Sequence, residues 1–308
     1  MKVLVTGGCG FIGSHLVDKL IDKKYEIIVL DNLSTGKKER LNPKAKLLIA
    51  DITKPEEVNK VFQTEKPEMV VHTAAQVMLR KSIEEPIFDA MTNIIGTINI
   101  LEACKNNKVK KIIYTSTGGA RYGNPEYLPV DEEHKINPSA PYGISKHTAE
   151  HYVKVYNELF GLDYLIFCFG NVYGPRDDPK CKRVTAIFSD QIINGEQPVI
   201  FGDGEQTRDF LYVLDLAEFI ASSIEKRPEH NLFNLANGEQ VSVNYIFEEI
   251  KKISGYKGDA KHIEAIKGEV RDIVLDTKLA QKELGWKVKT SMKEGLKETF
   301  DWLKKNRN

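Results

Sequence analysis

The stretch Thr6-Gly7-Gly8-Cys9-Gly10-Phe11-Ile12-Gly13-Ser14-His15 follows the apolar run Lys2-Val3-Leu4-Val5 at the start of the chain. Glycines at 7, 10 and 13, with Gly8 as an extra, suit a backbone that turns tightly, approaches a pyrophosphate and packs a helix against the preceding strand. Phe11, Ile12 and Gly13 would open that helix, whose amino end then faces the anion. Asp31 closes the next apolar run, eighteen residues after Gly13, where a carboxylate can accept hydrogen bonds from an adenosine ribose. A glycine turn alone is poor evidence, but this one lies between a strand and a helix that open a β-α-β unit. The two signals together imply dinucleotide binding. Asp31 would repel a 2'-phosphate, which favours NAD over NADP, while Lys37 and Lys38 read as solvated loop charges.

Outward from this loop, apolar β-rich runs alternate with helical patterns. Residues 2–6, 26–30, 46–50, 69–72 and 111–115 read as strands, apolar throughout as strands buried on both faces should be, and 163–169 adds another. Helical spacing runs from Ile12 to Ile21 and from Ile87 to Lys105. Repeated β-α-β units imply an α/β fold with a doubly wound parallel, Rossmann-type sheet. Beyond about Gly170 the texture changes to Gly-Pro and Gly-Asp-Gly turns, short strands at 198–201 and 209–213, and a last helix over 291–305. A domain of residues 1–170 and a smaller α/β lobe of 171–308 follow, with the chain able to cross between them.

The bulk composition narrows the function. Lysine plus arginine and aspartate plus glutamate balance at 44 each, so no basic field argues for nucleic acid and none for a membrane surface. No apolar run approaches the ~18 residues of a membrane span, and the start leaves no room for a signal peptide, so a cytoplasmic protein is expected. Cys9, Cys104, Cys168 and Cys181 stand far apart and suggest neither a disulfide framework nor a zinc site, and no metal is expected.

A second stretch, Pro141-Tyr142-Gly143-Ile144-Ser145-Lys146, places a phenol and an ammonium one helical turn apart, on one face. Bringing a tyrosine from ~10 to near neutrality takes about 4 kcal/mol of differential stabilisation, much of which a close cation could supply. With twelve tyrosines in the chain, one Tyr-x-x-x-Lys is about what composition alone provides, so its meaning depends on its surroundings.

Those surroundings resemble the extended short-chain dehydrogenase/reductase family. The resemblance runs in order through Thr6 to Gly13, Asp31-Asn32-Leu33-Ser34-Thr35-Gly36, Asp51-Ile52, His72-Thr73-Ala74-Ala75-Gln76, Asn93 with Gly96-Thr97, Thr115-Ser116-Thr117, and Tyr142 with Lys146. Asn171-Val172-Tyr173-Gly174-Pro175-Arg176 and residues 202–210 are similar to its nucleotide-sugar branch, and most of all to the UDP-galactose 4-epimerases. It implies an NAD cofactor held by these first segments, a UDP-sugar substrate, and a homodimer built from the helices around 87–105 and 142–160. It further implies that Tyr142 is the acid/base, that Lys146 holds the nicotinamide ribose and lowers the tyrosine pKa, and that Thr117 hydrogen-bonds the reacting sugar hydroxyl. Asn171, Val199, Phe201, Arg208, Arg271 and Asp272 would hold the nucleotide sugar.

The segment after Thr117, Gly118-Gly119-Ala120, offers none of the acids that dehydrating or decarboxylating relatives place there. Reversible oxidation at C4, with hydride returned to the other face, is therefore expected, interconverting UDP-galactose and UDP-glucose. A reductase, dehydratase or dehydrogenase on another nucleotide sugar, an N-acetylhexosamine epimerase and a non-catalytic NAD-binding regulator stay open. Two departures bear on the sugar. The usual Arg-Tyr-x-Asn is here Cys168-Phe169-Gly170-Asn171, which loses a cation, and Ile266-Lys267 stands where relatives carry a phosphate-binding arginine. Ile273 occupies a position that limits pocket size in some epimerases.

Overall fold

The structure, a computed structural model, describes residues 1–265 and 270–306. In chain order it runs β1 (Lys2–Thr6), α1 (Phe11–Asp22), β2 (Glu26–Asp31), β3 (Lys46–Ile49), α2 (Pro55–Glu65), β4 (Met69–His72), α3 (Leu79–Glu84) and α4 (Pro86–Ala90). A π-helical turn, Met91–Ile95, joins α4 to α5 (Gly96–Asn106), followed by β5 (Lys111–Thr117), α6 (Pro141–Phe160), β6 (Asp163–Phe169) and β7 (Asn171–Tyr173). Then come α7 (Val184–Asn194), β8 (Val199–Phe201), β9 (Thr207–Arg208), β10 (Phe210–Tyr212), α8 (Val213–Ser223), β11 (Leu232–Leu235), β12 (Val241–Ser242), α9 (Val243–Ser254), β13 (Lys261–Ile263), α10 (Lys278–Leu284) and α11 (Met292–Lys305).

Seven strands form one sheet in the order β11-β6-β5-β4-β1-β2-β3. The pairings β1 with β2, β1 with β4, β2 with β3 and β4 with β5 are parallel, as the apolar runs predict. Leu4, Ile28, Val70, Ile112 and Ile166 face a core shared with Phe62 of α2, Leu101 of α5 and Val153 of α6. Their sequence neighbours Val3, Val5, Val29, Val71, Ile113 and Phe167 are equally buried on the opposite face, where Phe167 meets Phe219 of α8 edge-on at 5.9 Å. Both faces are covered, so the strands carry no polar alternation. From β1 the chain builds outward to β3 on one side, and from β4 to β6 on the other. The order therefore reverses between β1 and β4, whose carboxyl ends are Thr6 and His72, and open α/β sheets bind ligands at such a reversal.

The chain groups into two compact units. The first comprises residues 1–121, 138–168 and 217–233, and the second 122–137, 169–216 and 234–308. The second unit has its own core, in which Phe188 of α7, Ile200 of β8, Phe210 of β10, Phe247 of α9 and Phe300 of α11 pack together. Its small sheets are β10 with β7, β12 with β9 and β13 with β8. The buried Asp209 carboxylate ties three of its segments, accepting hydrogen bonds from the amides of Asn237 (2.8 Å), Gly238 (3.1 Å) and Leu275 (3.1 Å). Burial pushes the Asp209 carboxyl up to about 7 in spite of those amides.

Candidate active site

The glycine loop takes its shape from close approaches that a side chain would block. Gly7 has φ +70°, and a Cβ there would lie 2.8 Å from the backbone of Ala74; at Gly13 it would lie 2.2 Å from the Gly7 carbonyl oxygen. Gly10 N–H donates to that same carbonyl at 3.0 Å. No side chain caps the amino end of α1 and no acidic residue lies in its first turn, so Phe11, Ile12 and Gly13 open the helix with no acid of its own against its positive end.

Asp31 ends β2 beside this loop, 6% exposed. Its carboxylate accepts from Cys9 N–H at 2.9 Å and Leu33 N–H at 2.8 Å. Burial raises the Asp31 carboxyl, and the two amides act against that rise. Asn32 bridges onward, accepting from Ser34 N–H (3.0 Å) and donating to Asp51 (3.0 Å). Burial opposes ionisation of Asp51, but Asn32 and Thr53 outweigh it and hold the carboxyl low. Gly36 returns against Asp31, where a Cβ would lie 2.8 Å from a carboxylate oxygen. Ser34 and Thr35 are exposed, while Ile52 packs against Gly96.

At the sheet reversal a buried chain of hydrogen bonds links four elements. Thr6 Oγ1 lies 2.6 Å from His72 Nδ1 and accepts from the amides of Thr73 and Ala74 at 3.2 Å. His72 Nε2 lies 3.0 Å from Thr97 Oγ1, whose proton goes to the Asn93 carbonyl at 2.6 Å. Thr97 has spent its proton, so His72 must donate from Nε2 and accept at Nδ1 from Thr6. Burial, followed by the Lys146 cation, lowers the imidazole to about 3 and keeps it neutral. Asn93, presented by the π turn, accepts from Gln76 N–H (2.9 Å) and donates to the Gln76 carbonyl (3.0 Å), Asp89 (3.1 Å) and Ser145 (3.1 Å). These bonds fix the strand-end segment Ala74-Ala75-Gln76 to the helices. Thr115 Oγ1 donates to the His72 carbonyl at 3.0 Å.

Tyr142 and Lys146 occupy the first two turns of α6. Pro141 opens the helix, where a missing N–H costs nothing, and Ser82 of α3 accepts the Tyr142 N–H at 3.1 Å. Gly143 lets the segment after Thr117 lie against this turn, since a Cβ there would be 2.3 Å from the Ala120 carbonyl oxygen. Thr117 Oγ1 accepts from Ala120 N–H at 3.3 Å, in a short turn. Thr117 and the half-buried Tyr142 are thus held on adjoining segments at the carboxyl edge of β5. Lys146 is 3% exposed, its ammonium 4.2 Å from the centre of the Tyr114 ring. Burial pulls it down to about 7, against the opposing pull of Glu150, Cys168 and Asp89.

In the second unit, Val199 and Phe201 are half-buried on either side of the buried Ile200. Asn171 begins β7 with an exposed side chain, its N–H held by the Asp209 carbonyl at 2.6 Å. Arg208 donates to the carbonyls of Thr207 (2.8 Å) and Arg271 (3.0 Å). Arg271 forms a forked pair with Asp203 at 3.0 and 3.1 Å, and Asp272 accepts the amide and hydroxyl of Thr207 at 3.1 and 2.6 Å. Arg208, Arg271 and Asp272 are therefore brought together, with Asp272 committed to the amide and hydroxyl of Thr207. Ile273 is 2% exposed, in a core cluster with Tyr122, Val130, Ala236 and Leu275. Ile266-Lys267 and Gly268-Glu269 lie outside the described residues.

Several features were not anticipated. The cation lost at Cys168 is restored from another segment: Arg121 Nη1 lies 3.1 Å from Cys168 Sγ and Nη2 lies 3.6 Å from the Glu150 carboxylate. No local pattern marks Arg121, because its partners are 29 and 47 positions away. His147 and His151 form a His-x-x-x-His pair, which the expectation of no metal, drawn from the cysteines, did not weigh. Their Nε2 atoms stand 3.1 Å apart on α6, and His147 Nδ1 lies 3.0 Å from Glu150.

A sequence profile described as the NAD dependent epimerase/dehydratase family matches residues 3–236. A putative UDP-glucose 4-epimerase of Methanocaldococcus jannaschii is 47% identical over 305 residues, 99% of each chain. The crystal structure of the Thermotoga maritima UDP-glucose 4-epimerase with UDP-glucose superposes with a TM-score of 0.97 at 42% identity, covering all of both chains. The Thermus thermophilus UDP-glucose 4-epimerase complex with NAD gives 0.94 at 35% identity, again over both whole chains. With the glycine loop, Asp31 and the Tyr142–Lys146 helix in the order and places described, this chain belongs to the NAD dependent epimerase/dehydratase family.

Proposed function

We propose that the protein is an NAD-dependent epimerase that interconverts UDP-galactose and UDP-glucose through transient oxidation at sugar C4. The observation that carries this reading is the joining of Tyr142 and Thr117 on adjoining segments, followed by Gly118-Gly119-Ala120 with no acid or base to act at a neighbouring carbon. The residues fit the cofactor. Gly7, Gly10 and Gly13 leave an open cradle at the amino end of α1 for the pyrophosphate, and Asp31, Asn32 and Gly36 shape an acidic edge for the adenosine ribose. Ser34, Thr35, Asp51 and Ile52 flank the adenosine, and Ala74, Ala75, Gln76, Asn93 and Thr115 hold the strand ends beneath the nicotinamide half. The chemistry that bound NAD supplies is reversible hydride acceptance at C4.

The protein's own groups do the rest. Tyr142 takes the C4 hydroxyl proton and returns it, its phenolate favoured by the Lys146 ammonium one turn along. Thr117 hydrogen-bonds the same hydroxyl and fixes its distance from the phenol. Lys146 holds the nicotinamide ribose. Residues 171–308 grip the nucleotide through Asn171, Arg208 and Arg271, with Val199 and Phe201 beside the base, while residues 1–170 carry the cofactor. A homodimer in the cytoplasm, working in galactose metabolism, completes the reading. The dimer is supported by exposed apolar side chains along α4, the π turn and α6, among them Ile87, Met91, Ile95, Val155 and Leu159.

Incubating the protein with UDP-galactose and NAD tests this. UDP-glucose should form without lasting NADH absorbance; net NADH accumulation would instead indicate a dehydrogenase, and an inert substrate with cofactor bound would redirect the reading to another sugar. Tyr142→Phe should keep cofactor binding and lose at least ~100-fold in turnover; full activity would exclude Tyr142 as the base.

A further inference from the structure

We propose that Ser82 is a positioning residue for Tyr142: from a neighbouring helix it caps the amino end of α6 and so fixes where the phenol stands. The inference rests on the proposed role of Tyr142 as the base. A helix leaves its first N–H groups without partners of its own, and a side-chain oxygen at the preceding residue normally accepts one of them. α6 has no such oxygen. Ala140 stands at its N-cap, and Pro141 after it carries no N–H. The first amide that needs a partner is that of Tyr142 itself, and Ser82 Oγ, from α3, accepts it at 3.1 Å. Ser82 is fully buried, and its own proton goes to the Leu79 carbonyl at 2.6 Å, which leaves its lone pairs for this bond.

The carbonyl of Tyr142 is held as well. Ser145 Oγ donates to it at 3.1 Å and accepts from Asn93 Nδ2 at 3.1 Å. Asn93 also accepts the Gln76 amide. The Gln76 side chain in turn brackets Met78, accepting from its N–H at 2.6 Å and donating to its carbonyl at 3.0 Å. That carbonyl takes the N–H of Ser82 at 3.0 Å. The path returns to Ser82, so a closed ring of contacts passes through Tyr142, and Ser82, Ser145, Asn93 and Gln76 are all buried. Both peptide groups that flank the Tyr142 Cα are therefore pinned. They set the direction of its Cα–Cβ bond, and with it the position from which the phenol reaches a sugar hydroxyl and faces Lys146. Because the ring includes Gln76, at the strand end assigned to the nicotinamide half, base and cofactor share one frame.

Ser82→Ala removes the acceptor. The comparison is Ser189→Ala, which removes an equally buried hydroxyl, bonded to the Thr185 carbonyl at 2.7 Å within α7. Two quantities are read on both variants and the wild type. One is the pH midpoint of Tyr142 nitration by tetranitromethane, which follows the phenolate and is located by peptide mass spectrometry. The other is kcat and KM for UDP-galactose in the presence of NAD. Ser82→Ala should raise the nitration midpoint toward the ordinary tyrosine value of ~10 as the phenol draws away from Lys146. It should also lower kcat at least ~10-fold with KM changed less than about 2-fold. Ser189→Ala should leave both quantities at wild-type values while lowering the urea midpoint of unfolding as Ser82→Ala does. A merely structural role for Ser82 predicts that the two variants behave alike. An unmoved nitration midpoint in Ser82→Ala, or an equal rise in Ser189→Ala, would overturn the proposal whatever the turnover. If Ser82→Ala does not fold, Ser82→Cys, whose sulfur fills the space but accepts hydrogen bonds weakly, decides by the same midpoint. Nitration needs no turnover, so a wild type inert toward UDP-galactose would count against the epimerase reading and leave this one to be judged on the midpoint.

Discussion

Replacing Lys146 by methionine should make the protein more stable and inactive at once, and the gain should depend on pH. The ammonium sits under β5 and α6, 3% exposed, with its pKa drawn from 10.5 to about 7. That difference corresponds to about 5 kcal/mol by which the native state disfavours the charged form. Because the native pKa is depressed, the unfolded chain binds more protons between about 7 and 10.5, and native stability rises with pH across that window. Below it the full cost is present. Methionine keeps the apolar stem over the Tyr114 ring and carries no charge, so Lys146→Met should gain up to about 5 kcal/mol near neutrality and below, and about 2 kcal/mol near pH 9. Urea unfolding of nucleotide-free protein, followed by circular dichroism at about pH 6.5 and about pH 9, measures both values. A variant less stable than wild type at the lower pH, or a gain unchanged between the two, would refute the argument.

Other consequences follow from single contacts. Gly13→Ala sets a methyl 2.2 Å from the Gly7 carbonyl; it should cost about 1–3 kcal/mol of stability and weaken NAD at least ~10-fold, read by calorimetry of NAD binding. Asn93→Ala strips partners from Gln76, Asp89 and Ser145 and should destabilise by about 2–4 kcal/mol, measurable as a lower urea midpoint. Leu159→Glu, on the exposed apolar row of α6 where Leu159 is 67% exposed, should yield a monomer by light scattering while leaving the fold intact by circular dichroism.

What could be read from the chain is what depends on neighbours in sequence. The strands at 2–6, 69–72 and 163–169 coincide with β1, β4 and β6, because burial on both faces leaves an unbroken apolar run. The glycine loop was legible for the same reason: Gly10 and Gly13 close on Gly7 within a few residues, although Gly7 also lies against the distant Ala74. Asp31 was legible through its spacing. The buried polar wiring was not. Thr6 with His72, His72 with Thr97 and Asn93 with Ser145 are pairs 66, 25 and 52 residues apart, and each residue alone is a common polar side chain. Arg121 illustrates the limit best. The loss of a cation at Cys168 was visible, but its replacement by a side chain from another segment emerges only when β5, α6 and β6 pack. Nor does any local signal place Leu232–Leu235 at the edge of the large sheet, beside β6.

The π turn at Met91–Ile95 has a consequence for how this chain can change in length. Each residue of an α-helix advances the azimuth by about 100°, and a wider turn absorbs one residue without that rotation. Winding the same residues as regular α-helix, with none deleted, would swing α4 by about that angle relative to α5, whereas losing one residue together with the wide turn would leave the two in phase. With the first change, Asp89 and Asn93 would leave the Gln76 amide and Ser145, while Phe88 would turn inward. Loops elsewhere in the chain can gain or lose residues one at a time, but this helix is quantised, because the extra residue keeps two faces of one rod in phase with two different partners.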